Sequence, residues 1–275
     1  MKRLLLVDLS YQAYRATASH PGLTSGSTFT GGLFGFLATL GKTVRETKAT
    51  RMVVCQDVKP YLRSIDYPQY KLLRKKAQNE ELFKLYQESL ALINGLLIEC
   101  GIPTWGLAGF ECDDLIGYAA NKYRHRFDHI YAASNDSDLY QLFTIPNFSV
   151  YHSNIKNLMN GKTLMETKGL TPEQYMIATA VKGTHNDIEG IKGVGEITAM
   201  KIVKDDALLR RCRITYPGII ERNLELIKLP HPKFPMDAAM PTNTKPFSAR
   251  ALYKFCSRFD IEVTKSMVDC FEQVQ

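Results

Sequence analysis

Short apolar runs alternate along this chain with stretches in which apolar residues recur at helical spacing. Leu4-Leu5-Leu6-Val7 and Met52-Val53-Val54-Cys55 are continuous runs of the kind that form strands buried on both faces. Ile130-Tyr131-Ala132-Ala133 and Phe148-Ser149-Val150-Tyr151 read the same way. Between them, Leu33, Leu37, Leu40 and Val44 keep to one helical face. So do Leu82, Leu85, Leu92 and Leu96 within 82–98, and Leu115, Ile116, Ala119, Ala120 and Tyr123 further on. The alternation predicts an α/β fold with a mostly parallel central sheet flanked by helices.

From Leu170 the pattern becomes helical. Thr171-Pro172-Glu173-Gln174 is a helix start, with a Thr cap, Pro at the first position and Gln three residues after the cap. The turn Gly190-Ile191-Lys192-Gly193-Val194-Gly195 interrupts the helix, which resumes over Ile197 to Val203. Residues 229 to 247 hold five of the twelve prolines and read as a loop or linker. Ser248 then caps a helix carrying Leu252, Phe255 and Phe259. The expected division is an α/β core over 1–170 and a helical region over 171–275, with no internal repeat. Gly35 to Gly41-Lys42-Thr43 imitates a phosphate-binding loop, but its spacing is one residue too long and no strand leads into it. It reads instead as a helix whose glycines permit close packing.

With 275 residues, 45% apolar and 23% charged, the chain is long enough for one large domain or two small ones. No apolar run approaches the ~20 residues of a membrane span. The N-terminus meets Asp8 after four apolar residues, which argues against a signal peptide. Six cysteines show no CxxC and no pairing pattern, the expectation for reduced thiols in a cytoplasm. The net charge of +7, with the candidate acids concentrated at a few points, suggests a polyanionic ligand handled through metal ions.

Those acids are placed by the predicted elements. Asp8 follows the first strand, Asp57 the second, and Asp136 and Asp138 the strand that ends at Ala133. Glu111, Asp113 and Asp114 open the helix that begins near Leu115. Singly, each reads as a turn residue or helix cap. Together, beyond the carboxyl ends of parallel strands, they would crowd one edge of the sheet. Crowded carboxylates need cations, and oxygen ligands without a His or Cys cluster favour Mg²⁺ or Mn²⁺. Two such ions suit phosphodiester hydrolysis. Directly after Asp57 runs a basic stretch with Lys59, Arg63, Lys71, Arg74, Lys75, Lys76 and Lys84, interleaved with Tyr61, Tyr67 and Tyr70. Such interleaving can grip a nucleic-acid backbone and stack on bases.

In this order the motifs resemble the 5′-nuclease superfamily: flap endonucleases, phage 5′–3′ exonucleases and the 5′-nuclease domain of bacterial DNA polymerases. The resemblance covers about residues 3 to 204. It is carried by Leu6-Val7-Asp8, by Asp57, and by Tyr67-Pro68-Gln69-Tyr70-Lys71 followed by Arg74. Gly109-Phe110-Glu111-Cys112-Asp113-Asp114, Ser134-Asn135-Asp136-Ser137-Asp138 and the Gly190–Gly195 turn with Thr198-Ala199 complete it. It implies a helical arch at about 58–90 and a DNA-binding helix–three-turn–helix at about 171–204. It implies that Asp8, Glu111, Asp113 and Asp136 serve a first metal ion, with Asp57 and Asp114 nearby, and that Asp138 and Asp187 serve a second. Lys71 and Arg74 would contact the scissile phosphate and Tyr70 would stack on a terminal base. Arg63, Lys75, Lys76, Lys192 and the amides of Gly193, Val194 and Gly195 would bind DNA, with K⁺ at the hairpin. Gly183-Thr184-His185-Asn186-Asp187 departs from the family pattern. With a gap after Asp187, Thr184 stands where the first aspartate belongs; without it, Asn186 faces the second and the first is still lost. The second ion is therefore expected to be weakly held.

The resemblance implies a structure-selective, metal-dependent 5′ nuclease of phage type. It would be a cytoplasmic monomer acting on DNA with 5′ ends, flaps or RNA primers during replication. The rival readings are a non-catalytic binder of branched DNA and a metal-dependent phosphatase for small substrates.

Overall fold

The computed structural model describes residues 1–73, 79–152, 157–241 and 245–274. The chain runs β1 (Arg3–Asp8), α1 (Leu9–Ser19), β2 (Thr24–Ser25), β3 (Thr28–Phe29), α2 (Gly31–Thr47), β4 (Arg51–Gln56) and α3 (Leu62–Asp66). It continues with α4 (Glu80–Cys100), β5 (Thr104–Gly106), α5 (Cys112–Tyr123), β6 (His129–Ala133), a 3-10 helix (Ser137–Thr144), β7 (Phe148–His152) and β8 (Asn157–Met159). Helices follow: α6 (Gly161–Lys168), α7 (Pro172–Lys182), α8 (Glu196–Lys204), α9 (Asp206–Thr215), α10 (Ile219–Ile227), α11 (Ala249–Ser257) and α12 (Lys265–Gln273).

The main sheet has the order β5-β4-β1-β6-β7-β8. Every neighbouring pair is parallel except β7 and β8. The period-two alternation of a strand divides each buried run between two cores. Leu5, Val7, Met52, Val54, Tyr131 and Ala133 join α1, α2 and α4 on one face. Leu4, Leu6, Val53, Cys55, Ile130 and Ala132 join α5 and the 3-10 helix on the other. Strand order reverses between β1 and β6: the chain builds outward through β4 and β5, then returns to β6 on the far side of β1. Such a switch point opens a crevice beyond the strand ends. Asp8 ends β1, Asp57 follows β4 and Asp136 follows β6, so the topology brings all three to its rim.

The glycine-rich segment near Gly35 lies inside α2. A Cβ on Gly35 would stand 2.8 Å from the His20 ring and 3.0 Å from Ala16, so close packing of α1 on α2 explains it. Thr171 caps α7 by accepting from Gln174 N–H at 3.2 Å, and Ser248 caps α11 by accepting from Ala251 N–H at 3.2 Å. All six cysteines are free.

Two expectations are corrected. The helical region does not extend as one body to the C-terminus. A third core joins α7, α8, α9 and α10, but Leu252, Phe255, Val268 and Phe271 of α11 and α12 return to the first core, against α2 and α4. The proline-rich segment after Leu229 is no free linker either. Leu229, Phe234 and Met240 are buried in the second core, and Tyr118 Oη bonds the carbonyls of Met236 and Ala238. Proline removes donors from this strap, and its carbonyls are satisfied from α5 instead.

Candidate active site

Each strand-end carboxylate is oriented by a neighbouring turn. Asp8 caps α1, accepting from Tyr11 N–H at 3.0 Å, and its other oxygen accepts from Ser134 Oγ at 2.8 Å. Asp57 accepts from Cys112 N–H at 2.7 Å and from Ser10 Oγ at 2.6 Å. Asp136 accepts from Asp138 N–H at 2.8 Å, while Asp136 N–H donates to Ser134 Oγ at 3.1 Å. Ser134 thus ties the β6 turn to the β1 turn.

These groups lie within one electrostatic neighbourhood. Burial, then Asp57 and also Asp136, pushes the Asp8 carboxyl up to about 7. Burial and Asp136 push Asp138 up to about 7, against the pull of Lys71 and Arg63. Asp113 is raised well above the carboxylate range by burial and then by Asp136, Asp8, Asp138 and Glu111. Its buried Oδ1 has no hydrogen-bond partner, and neither has the buried Oδ1 of Asn135. A buried anionic oxygen without a donor is costly, and hard cations are what such oxygens accept. The donor chemistry therefore fits a divalent ion, although among the described residues no three His, Cys, Asp or Glu side chains close on one point.

The start of α5 is different. Arg63 is buried, its side chain 5% exposed. Nη1 donates to Asp114 Oδ2 at 2.6 Å and to Glu111 Oε2 at 3.1 Å. Nη2 donates to Asp114 Oδ1 at 2.7 Å and the Lys228 carbonyl at 2.9 Å, and Nε to the Leu226 carbonyl at 2.7 Å. Every guanidinium N–H is used. Asp114 accepts further bonds from the N–H groups of His231, at 2.7 Å, and Glu111, at 3.2 Å. This corrects two expectations. Arg63 has no donor left for DNA, and Asp114 has no lone pair left for a metal; together they pin α3 and the strap to α5.

Glu111 holds Lys71 Nζ at 2.5 Å on Oε1 and the Tyr70 hydroxyl at 2.9 Å on Oε2. Tyr70 is 6% exposed and packs with Leu170, Ala178 and Ile188 in the third core. The expected base-stacking role is corrected: the ring has no free face. Arg74, Lys75 and Lys76 lie outside the described residues.

The loop before the hairpin brings Asn186 to the acids, as the ungapped register expects. Asn186, with Asp113, Asp138, Glu111, Tyr70 and Ile188, lines the cleft. The Asp187 carboxylate accepts from Leu73 N–H at 2.8 Å on one oxygen. The Thr184 hydroxyl accepts from Asn186 N–H at 3.1 Å and so serves its own turn. Beyond it, Lys192, Gly193 and Gly195 are exposed, and Gly193 takes φ +82°, a conformation open to glycine. The Val194 amide is not available to a ligand, because it donates to the Ile191 carbonyl at 3.0 Å. Sequence reading missed Ser10, Ser134 and Asn186. Ser134 stood inside a recognised motif; Asn186 was visible only through the choice of register.

Residues 3–170 match the family described as 5′-3′ exonuclease, N-terminal resolvase-like domain. A 5′-3′ exonuclease of Bacillus subtilis is 32% identical over 224 residues, covering 74% of this chain and 70% of its own length. The thermostable DNA polymerase I of Thermus thermophilus is 32% identical over 206 residues, again 74% of this chain, but the match spans only 24% of that polymerase. Among solved structures, T5 5′-exonuclease with divalent metal ions (zinc) bound superposes with a TM-score of 0.71 at 20% identity, covering 98% of this chain and 100% of its own. Flap endonuclease-1 of Methanococcus jannaschii gives a TM-score of 0.64 at 16% identity, covering 98% and 92%. The matched segment spans more than half of the chain and contains every strand-end carboxylate of the cleft, and the chain belongs to the 5′-3′ exonuclease family.

Proposed function

We propose that this protein is a structure-selective 5′ nuclease that hydrolyses DNA phosphodiesters near the junction of duplex and 5′ single strand. The observation that carries the reading is the cleft itself, where Asp8 and Asp138 are pushed up to about 7 and a buried Asp113 oxygen has no donor. Charges so crowded call for cations, and all-oxygen donors select Mg²⁺ or Mn²⁺. Asp8, Glu111, Asp113 and Asp136 would hold the first ion. Asp138 and Asp136, with the neutral amide of Asn186 beside them, would hold a weaker second. Ions there would supply Lewis-acid stabilisation of the phosphodiester and would lower the pKa of the attacking water. Ser134 and Ser10 fix the directions of Asp8 and Asp57. Lys71, at the base of the arch, supplies positive charge to the scissile phosphate, with Arg74, Lys75 and Lys76 beyond it on the same stretch. Lys192 and the open amides of Gly193 and Gly195 would hold duplex backbone, and K⁺ at the hairpin would add positive charge toward the phosphates.

The Bacillus subtilis exonuclease and the polymerase relatives support a role in clearing 5′ strands, flaps or RNA primers during replication. The expected setting is a monomer in the cytoplasm; no described helix is long and apolar enough to cross a membrane. A labelled 5′-flap DNA tests the reading. Cleavage near the junction in Mg²⁺, abolished by chelator, is the expected result. Binding without cleavage in Mg²⁺ and in Mn²⁺ would overturn it.

A further inference from the structure

We infer that the Lys71 ammonium is the resident counter-cation of the acidic cleft, which a divalent ion must displace from Glu111. The inference rests on the metal-dependent reading above and concerns what holds the site before an ion arrives.

Three donors converge on Glu111, and each of its oxygens already faces a cation. Its two oxygens accept from Lys71 Nζ at 2.5 Å, the Tyr70 hydroxyl at 2.9 Å and Arg63 Nη1 at 3.1 Å. A divalent ion on Glu111 would therefore be repelled at short range unless one of these cations withdraws. Arg63 cannot leave cheaply, because its other N–H groups are spent on Asp114 and on the carbonyls of Leu226 and Lys228. Tyr70 is fixed by the third core. Lys71 is the mobile one: its side chain is 22% exposed, on a flexible stem that holds a point charge. The Tyr61 ring lies 5.6 Å from Nζ and offers the departing cation a π-face.

The backbone does not have to move with it. Lys71 takes φ +57°, an uncommon conformation for a residue with a Cβ. Its N–H donates to the Asn186 carbonyl at 2.9 Å, and two residues on Leu73 N–H donates to Asp187. The start of the arch segment is thus latched to the loop that leads into the hairpin, and ammonium exchange is a rotation of the side chain alone. The charge balance points the same way. Among the described residues, the ion pairs at the cleft carboxylates come from Arg63 and Lys71 only. Arg63 is committed to the structure, so Lys71 is the cation that can be exchanged. An ion and the ammonium then compete for Glu111. By reciprocity, metal binding frees Lys71 toward the phosphate as strongly as Lys71 weakens metal binding.

The test uses Lys71→Met, which keeps the stem and removes the charge, beside Lys265→Met, which removes an exposed charge on α12. Mn²⁺ binding is measured by calorimetry without DNA, and melting is followed in chelator and in Mn²⁺. Lys71→Met is expected to bind Mn²⁺ on the order of 10-fold more tightly, the size of an ordinary coupling between competing ligands. It should also melt lower in chelator and recover in Mn²⁺. Lys265→Met should match the wild type in both. Equal or weaker Mn²⁺ affinity in Lys71→Met, in a protein that melts cooperatively, would overturn the inference. Absence of Mn²⁺ binding in all three proteins would overturn the metal reading and this inference with it.

Discussion

The crevice-facing and the protein-facing acids of this site stand in opposite states of compensation. Asp113 and Asp114 are adjacent in sequence, yet Asp113 has an oxygen without a donor and is pushed far above the carboxylate range. Asp114 is fully buried and accepts from a guanidinium and two backbone N–H groups. Successive residues on a helix point about 100° apart, so one can face the crevice and the next the protein. The contrast separates a structural ion pair from a group of charges held ready for a ligand. Unpaired charges in the crevice cost stability in the free protein, and the buried pair beneath keeps their backbone in place.

Breaking the buried pair should have the largest effect. Asp114→Ala leaves the buried Arg63 with Glu111 as its one carboxylate partner, a loss of about 3–5 kcal/mol. Thermal unfolding should show a large fall in Tm that Mg²⁺ does not restore; an unchanged Tm would mean that the pair contributes nothing. On the other side, Asp113→Asn and Asp136→Asn should lower cleavage by at least ~100-fold, since metal charge stabilisation is worth several kcal/mol. Neither should lower Tm in chelator, because Asn keeps the shape of each side chain and adds no charge to the crowded site. Single-turnover cleavage of a 5′-flap substrate, with melting curves alongside, checks both halves.

The pH dependence sharpens the comparison further. Asp8 and Asp138 titrate near 7 in the folded protein, against 3.8 when free. Between those values the folded state binds more protons than the unfolded state, so stability in chelator should fall as pH rises from about 4 through about 7. Saturating Mg²⁺ should flatten that slope, because the ion replaces the protons. Denaturant titrations at pH 5 and pH 8, with and without Mg²⁺, measure it; a slope insensitive to Mg²⁺ would place these carboxyls outside the metal site. The smallest expected effect lies at the loop. Asn186→Asp adds a carboxylate to the cleft and should lower the half-saturating Mg²⁺ concentration several-fold, about 1 kcal/mol for each fivefold change. Thr184→Asp should not, because residue 184 serves its own turn. The reverse ranking in a Mg²⁺ titration of cleavage would favour the gapped register.

The apolar runs near Leu4, Met52, Ile130 and Phe148 and the caps at Thr171 and Ser248 were legible because each depends on a few neighbouring residues. Asp8, Asp57 and Asp136 were legible for a related reason, since an acid at the end of a predicted parallel strand has only one edge to reach. Arg63 and Tyr70 were not. Both stood in a basic, aromatic stretch that reads as a nucleic-acid clamp, and nothing local distinguishes them from Lys71. Their roles depend on Asp114, Leu226 and Lys228, and on the third core, all distant in sequence.

By itself the sequence determined what period and spacing encode: the α/β alternation, the carboxylates at strand ends, and the glycine that lets the hairpin turn at residue 193. Only the tertiary structure decided which acids stay uncompensated, that Asn186 meets the cleft, and that the proline-rich strap and the last two helices close back over the core. The physical reason is that compensation of a buried charge is a property of its whole surroundings. A guanidinium reaching across 51 residues to Asp114 leaves no trace in the spacing of either segment.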